Sequence, residues 1–200
     1  METGKQSSSA QEDAALVKAF REGDRSAFDK LVLKHKDRIF NLCYRFLADY
    51  QEANDSAQET FISAYRSLKR FRFESAFSTW LYRIAVNTCR NKLKSSGYRK
   101  KMVTVSMDNP SPSHDVSPSV DIPDESRSPS VELEKKERLA LIGDAINRLP
   151  GDQKEVVILR DINGLSYDEI SGITGLNLGT VKSRIARARQ GLREMLKGVI

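Results

Sequence analysis

Two hundred residues leave room for one domain or two small ones, and a formal net charge of +6 with a pI near 9.3 favours an anionic partner. No apolar run reaches spanning length, and the start Met-Glu-Thr-Gly-Lys-Gln-Ser-Ser-Ser lacks the apolar core of a signal peptide, so a soluble, cytoplasmic chain without membrane insertion is expected. Cys43 and Cys89 have no metal-ligand spacing and His35 and His114 add no cluster, so no disulfide is needed and neither metal nor cofactor is expected.

Apolar residues recur at helical spacing in the first half: Phe28, Leu31, Val32, Ile39, Leu42, Cys43, Phe46 and Leu47, then Ala53, Ala57, Phe61, Ala64 and Leu68. These two stripes predict two helices on a shared core, with His35 on the apolar side of the first and therefore a satisfied core residue. The stretch from Asp49 to Phe61 is acidic and cannot itself bind nucleic acid. On its helix Asp55, Gln58, Glu59 and Ile62 share one face, which suits a basic, partly apolar protein partner. Spacing alone serves equally well for a solvated first turn favoured by the helix dipole.

A third helix is expected after the turn-prone Glu74-Ser75-Ala76, with Leu81, Ile84, Ala85, Thr88 and Leu93 inward. Charge changes sign here. From Arg66 to Lys101 there are eleven Lys or Arg against the single acid Glu74, and aromatics are interleaved with them from Phe71 onward. Aromatic faces stack unpaired bases while cations follow the backbone, so this segment is suited to a single strand. An extruded base also needs hydrogen-bonding groups, which Asn87, one turn above Arg83, and the hydroxyls of Ser75, Ser78 and Thr79 can supply. Phe71, Phe77, Trp80 and Leu81 would serve equally as core.

Between Val103 and Val131 lie five of the six prolines and the acids Asp108, Asp115, Asp121, Asp124 and Glu125 against Arg127, a composition that reads as an acidic linker. The second unit then opens with Leu133, Leu139, Ile142, Ile146 and Leu149, and Pro150-Gly151 forces a turn. Asp152 with Glu155, and Ser166 with Glu169, have the spacing of capping boxes, the first opening a helix that would bury Val156, Leu159 and Ile162. Ile170 and Ile173 mark a short helix, Gly175 a turn, and Val181, Ile185, Ala188, Leu192 and Leu196 the inner face of a last, basic helix. Short helix, glycine turn and basic helix together describe a helix-turn-helix, whose second element fits the major groove. Opposite its apolar side stand Lys182, Ser183, Ala186, Arg187 and Gln190. Lys182 and Arg187 can reach guanine edges or phosphates, Ser183 either, and Ala186 can offer apolar contact. Strand alternation is absent, so the class is all-α: two small helical domains joined by a flexible acidic linker.

Asp55-Ser-Ala-Gln-Glu-Thr-Phe-Ile-Ser-Ala-Tyr65, Phe77-Ser-Thr-Trp-Leu-Tyr-Arg-Ile-Ala-Val-Asn87, Leu165-Ser-Tyr-Asp-Glu-Ile170 and Gly179-Thr-Val-Lys-Ser-Arg184, in this order, resemble the extracytoplasmic-function sigma factors of bacterial RNA polymerase. The resemblance implies sigma region 2 over residues 10–98, a linker over 99–131 and sigma region 4 over 132–200. It implies that Asp55, Gln58, Glu59, Phe61 and Ile62 meet core RNA polymerase. Phe71, Ser75, Thr79, Trp80, Arg83, Asn87 and Arg90 would face the unpaired non-template strand of the minus-ten element. Thr180, Lys182, Ser183, Arg184, Ala186 and Arg187 would face the minus-thirty-five duplex. Many members are held inactive by an anti-sigma protein, so such a partner is implied as well. Asn177-Leu178 stands where many members carry a proline-containing turn, and Ala186 is smaller than the side chain often found there.

Two other classes fit less of the chain. A helical sensor domain governing a helix-turn-helix needs no basic aromatic segment in its first half. An enzyme would need a phosphate loop, a nucleophile elbow, a metal-ligand pattern or a dinucleotide fingerprint, and the sequence has none.

Overall fold

In the computed structural model of the protein, the described residues are 3–95 and 129–198, with side chains described over 8–95 and 137–198. All described elements are helical and they divide between two compact units, taken here one at a time. Of the expected linker, residues 99–128 lie outside the described residues, and Pro129–Val131 already belong to a helix.

The N-terminal unit has four helices: α1 (Thr3–Arg21), α2 (Ser26–Leu47), α3 (Tyr50–Ser67), which ends in a 3-10 turn at Leu68–Arg70, and α4 (Phe77–Lys94). Gly23, at φ +113°, reverses the chain after α1, and the Asp24 carboxylate accepts from the Ser26 N–H at 2.9 Å to start α2. Asp49 caps α3 by accepting from the Glu52 N–H at 2.9 Å. The core is filled by Leu31, Ile39, Leu42 and Leu47 of α2, and by the small residues Ala53, Ser56, Ala57, Thr60 and Ala64 of α3. Phe61, expected inward, is only half-buried.

The inner face of α4 is centred on Leu81, Tyr82, Ala85, Val86 and Cys89. Ile84 and Thr88, expected inward, are half-buried at its border, and Leu93 is 36% exposed. The reason is that α4 packs between α2, α3 and α1, so the buried arc turns toward Val86 and Cys89. Cys43 and Cys89 are both buried and are not joined in a disulfide.

The C-terminal half of the chain comprises α5 (Pro129–Arg148), α6 (Gly151–Val157), α7 (Tyr167–Thr174) and α8 (Leu178–Met195). α6 continues into a π turn at Ile158–Ile162. α8 packs on α5 and α6, and Ala145, Ile146, Leu149, Val156, Val181, Ile185 and Ala188 are buried. From the end of α6 into the π turn, Val156, Val157, Ile158 and Leu159 are buried in succession and Ile162 is 39% exposed, against the single stripe expected of an α-helix. Leu139, also expected inward, is 48% exposed.

Only one of the two capping boxes forms. The Ser166 N–H donates to Glu169 Oε2 at 2.8 Å and the Glu169 N–H to Ser166 Oγ at 3.2 Å. α6 starts instead on the Pro150 carbonyl, which accepts from the Lys154 N–H at 2.8 Å, and Glu155 is buried.

Candidate nucleic-acid interface

In the N-terminal unit the 3-10 turn delivers Phe71 inward and the loop 72–76 then leads into α4. Phe71 and Phe77 are buried, and Trp80, half-buried, lies 5.2 Å from the first ring and 5.7 Å from the second. Trp80 is thus both packed and partly open to solvent, which joins the two roles its sequence position allowed. Arg83 and Asn87 are exposed one turn apart on α4, Ser75 is half-buried in the loop, and Arg90 is half-buried. Phe71 and Thr79 are each 5% exposed, their side chains taken up by the core.

Behind these rings His35 is 4% exposed, with Nε2 3.0 Å from Asp13 Oδ2 and its ring 5.4 Å from Phe77. The Lys34 ammonium pairs with Asp13 Oδ1 at 2.7 Å and with Glu12 Oε2 at 2.6 Å. Burial pushes the Asp13 carboxyl up, but the hydrogen bonds from His35 and Lys34, with their charges, outweigh it and hold the carboxyl below its ordinary 3.8. α1 is tied to α2 by these bonds and by Val17 and Phe20, both buried.

On α3 the acidic face stands as its spacing suggested: Asp55, Gln58 and Glu59 are exposed and Ile62 is 51% exposed. Lys92 of α4 donates to Glu52 at 2.6 Å, and that bond, opposed by burial and aided by the charges of Glu52, Asp55 and Glu59, raises the Lys92 ammonium above its usual value. One cation of the basic helix is thereby committed to the acidic one.

In the C-terminal half of the chain Gly175, at φ +75°, takes the left-handed turn between α7 and α8. Asn177 caps α8, its Oδ1 accepting from the Thr180 N–H at 2.8 Å, which gives the departure from a proline-containing turn a local purpose. Lys182, Ser183, Ala186 and Arg187 are exposed, opposite the buried Val181, Ile185 and Ala188. Thr180 is half-buried, and the Ser183 hydroxyl donates to the Thr180 carbonyl at 3.0 Å. Arg184 is half-buried with Nε 3.4 Å from Asp152 Oδ2 of α6, so its charge is engaged within the unit. Arg189 is similarly engaged, Nε donating to Asp161 at 3.1 Å.

Two features were not read from the sequence. One is α1, whose helical signal is only Leu16, Val17 and Phe20 among many polar residues. Phe73, 37% exposed, was noted only as part of the aromatic run.

A helix-turn-helix unit and a separate helical unit with an exposed basic, aromatic surface define a two-part nucleic-acid-binding protein. Residues 31–98 match Sigma-70 region 2 and residues 139–192 match Sigma-70, region 4. The RNA polymerase sigma-H factor of Pseudomonas aeruginosa is 40% identical over 190 residues, covering 95% of this chain and 96% of that one. The ECF RNA polymerase sigma-E factor of Haemophilus influenzae is 39% identical over 188 residues, 92% and 95% of the two chains. Among solved structures, CnrH in complex with the cytosolic domain of CnrY superposes with a TM-score of 0.65 at 26% identity, over 92% of this chain and 97% of that one. The sigma factor RpoE of Bartonella quintana, in complex with the anti-sigma factor NepR, gives 0.63 at 26% identity, over 86% and 97%. The chain belongs to the extracytoplasmic-function sigma factors of the sigma-70 family, which are non-enzymatic transcription initiation factors. Among its described residues no helix is long and apolar enough to cross a membrane.

Proposed function

We propose that the N-terminal unit docks on core RNA polymerase and opens the minus-ten element, while the C-terminal unit reads the minus-thirty-five element as duplex. Region 2 would take residues 10–98 and region 4 residues 132–200, joined by the acidic stretch 99–131. Asp55, Gln58, Glu59 and Ile62, with Phe61 at their edge, form the polymerase face. Trp80, Ser75, Arg83 and Asn87, with Arg90 beside them and Phe71 and Thr79 beneath, hold the unpaired non-template strand. On α8, Lys182, Ser183, Ala186 and Arg187 approach base edges and phosphates, with Thr180 at the helix start and Arg184 bracing from behind. The work is cytoplasmic and involves no catalysis by this chain. The RpoE structure carries an anti-sigma factor and the CnrH structure the cytosolic domain of CnrY, and an anti-sigma protein would hold this chain inactive.

The observation that carries this reading is that one small unit exposes both an acidic, partly apolar helix face and a basic, aromatic one. A regulator that only binds duplex has use for neither. The test is a reconstitution: the full chain is added to core polymerase and run-off transcripts are sought on random-sequence templates. Chain-dependent initiation at a shared two-part sequence is expected; retention on duplex DNA without any association with polymerase would overturn the reading.

A further inference from the structure

Phe73 has φ +57°, a left-handed backbone that a bulky L side chain adopts only under strain, yet its ring is 37% exposed and fills no core position. Strain of this kind survives where the surroundings hold it and where a ligand uses it. Here the surroundings are specific. The Phe71 ring meets Phe73 edge-on at 4.9 Å, and the Arg21 guanidinium, from the last turn of α1, stands 5.9 Å from the Phe73 centroid. Phe71 is itself 5.2 Å from Trp80. The rings therefore form a row, Trp80, Phe71, Phe73, buried in the middle and open at both ends. Glycine or asparagine would suit the backbone of residue 73 better, and burial gains little from a ring left in solvent. An exposed aromatic beside an exposed arginine is the pairing that stacks a base and steadies its phosphate.

Resting on the reading of this face as the single-strand site, we propose that Phe73, braced by Arg21 of α1, is a second stacking platform, taking an unpaired base next to the one held at Trp80. The N-terminal helix thereby joins the DNA-handling surface.

The test uses holoenzyme made with the full chain and a promoter recovered by run-off from random-sequence templates, with strand opening followed by permanganate reactivity and closed complexes by gel retardation. Phe73→Gly and Phe73→Asn relieve the backbone and delete the ring, so both should melt thermally no earlier than the parent. Opening should nonetheless fall about tenfold in each, the scale of one lost base stack, with closed complexes unchanged and Phe73→Trp within about twofold of the parent. Arg21→Ala should fall by less, and Arg21→Lys, which keeps a cation, should recover most of the loss. Asn87→Ala run in parallel separates the two claims. If the Phe73 variants open the promoter normally while Asn87→Ala does not, the second platform is wrong and the single-strand site stands. If none of them alters opening, the single-strand reading fails and the platform with it.

Discussion

In the C-terminal unit the exposed Lys182 and Arg187 stand on one helix, held from behind by Val181, Ile185 and Ala188 and capped by Asn177. In the N-terminal unit Trp80, Arg83 and Asn87 rise from α4 beside a loop whose rings lean on one another, with Phe71 between Phe73 and Trp80. The first surface is a straight edge made by a single element. The second combines a helix start, a strained loop and a buried aromatic floor. Duplex DNA offers its base edges to a rigid rod in the major groove, whereas an unpaired base must be surrounded. On the proposed reading, the two surfaces differ as a duplex and an unpaired strand differ.

The largest expected effect concerns neither surface but the face proposed to dock on polymerase. Asp55→Arg combined with Glu59→Arg should weaken core binding by several kcal/mol through like-charge contact, with helical circular dichroism unchanged. Undiminished binding by the folded double variant would remove this face from the account. Next in size, Asn87→Ala should leave closed complexes intact while permanganate reactivity at melted thymines drops sharply, because the pocket no longer offsets the few kcal/mol of unstacking. Normal melting would reduce Asn87 to a structural residue.

A more modest effect is expected on α8. Arg187→Ala should relax preference at one upstream base pair, costing about 1–3 kcal/mol if its contact is bidentate to a base. If it touches phosphate instead, binding should weaken equally on all sequences and the salt slope should fall by about one. Either outcome keeps the reading face; neither effect would mean it is misassigned. The smallest effect is on stability alone. A carboxyl held below 3.8 by folding contributes stability that is present above the unfolded value and lost as the pH falls through the folded one. Asp13→Asn should therefore be less stable than the parent at neutral pH, with the gap narrowing below about pH 4, as read by urea unfolding. A gap independent of pH would place the stabilisation elsewhere than in the ionised Asp13 with His35 and Lys34.

What was legible in advance followed the same division. A helix-turn-helix is local: Ser166 with Glu169, Gly175 and the stripe of Val181, Ile185 and Ala188 lie within a short stretch of chain, and periodicity finds them. What spacing could not supply was which cations are already engaged. Arg184 lies at helical spacing from Arg187 and Thr180, and only the fold brings Asp152 of α6 to it. In the N-terminal unit the aromatic surface also depends on contacts distant in sequence, His35 with Phe77 and Arg21 with Phe73. Phe71 and Thr79 carry the right chemistry for a base, but the core takes their side chains. The arc of α4 was misplaced by about one position because three helices pack on it, and a single stripe cannot reveal three neighbours. α1 escaped notice because it buries little apolar surface and is tied down by Asp13, a buried carboxylate that periodicity counts as polar.

The central claim is that the two surfaces act at separate steps, and a pre-opened template tests it most directly. Holoenzymes carrying Asn87→Ala or Arg187→Ala are compared on a duplex promoter and on the same promoter mismatched across the minus-ten element, with transcript yield as the readout. Removing the opening step beforehand should largely restore Asn87→Ala and leave the defect of Arg187→Ala in place. Equal rescue of both, or of neither, would contradict the division of labour.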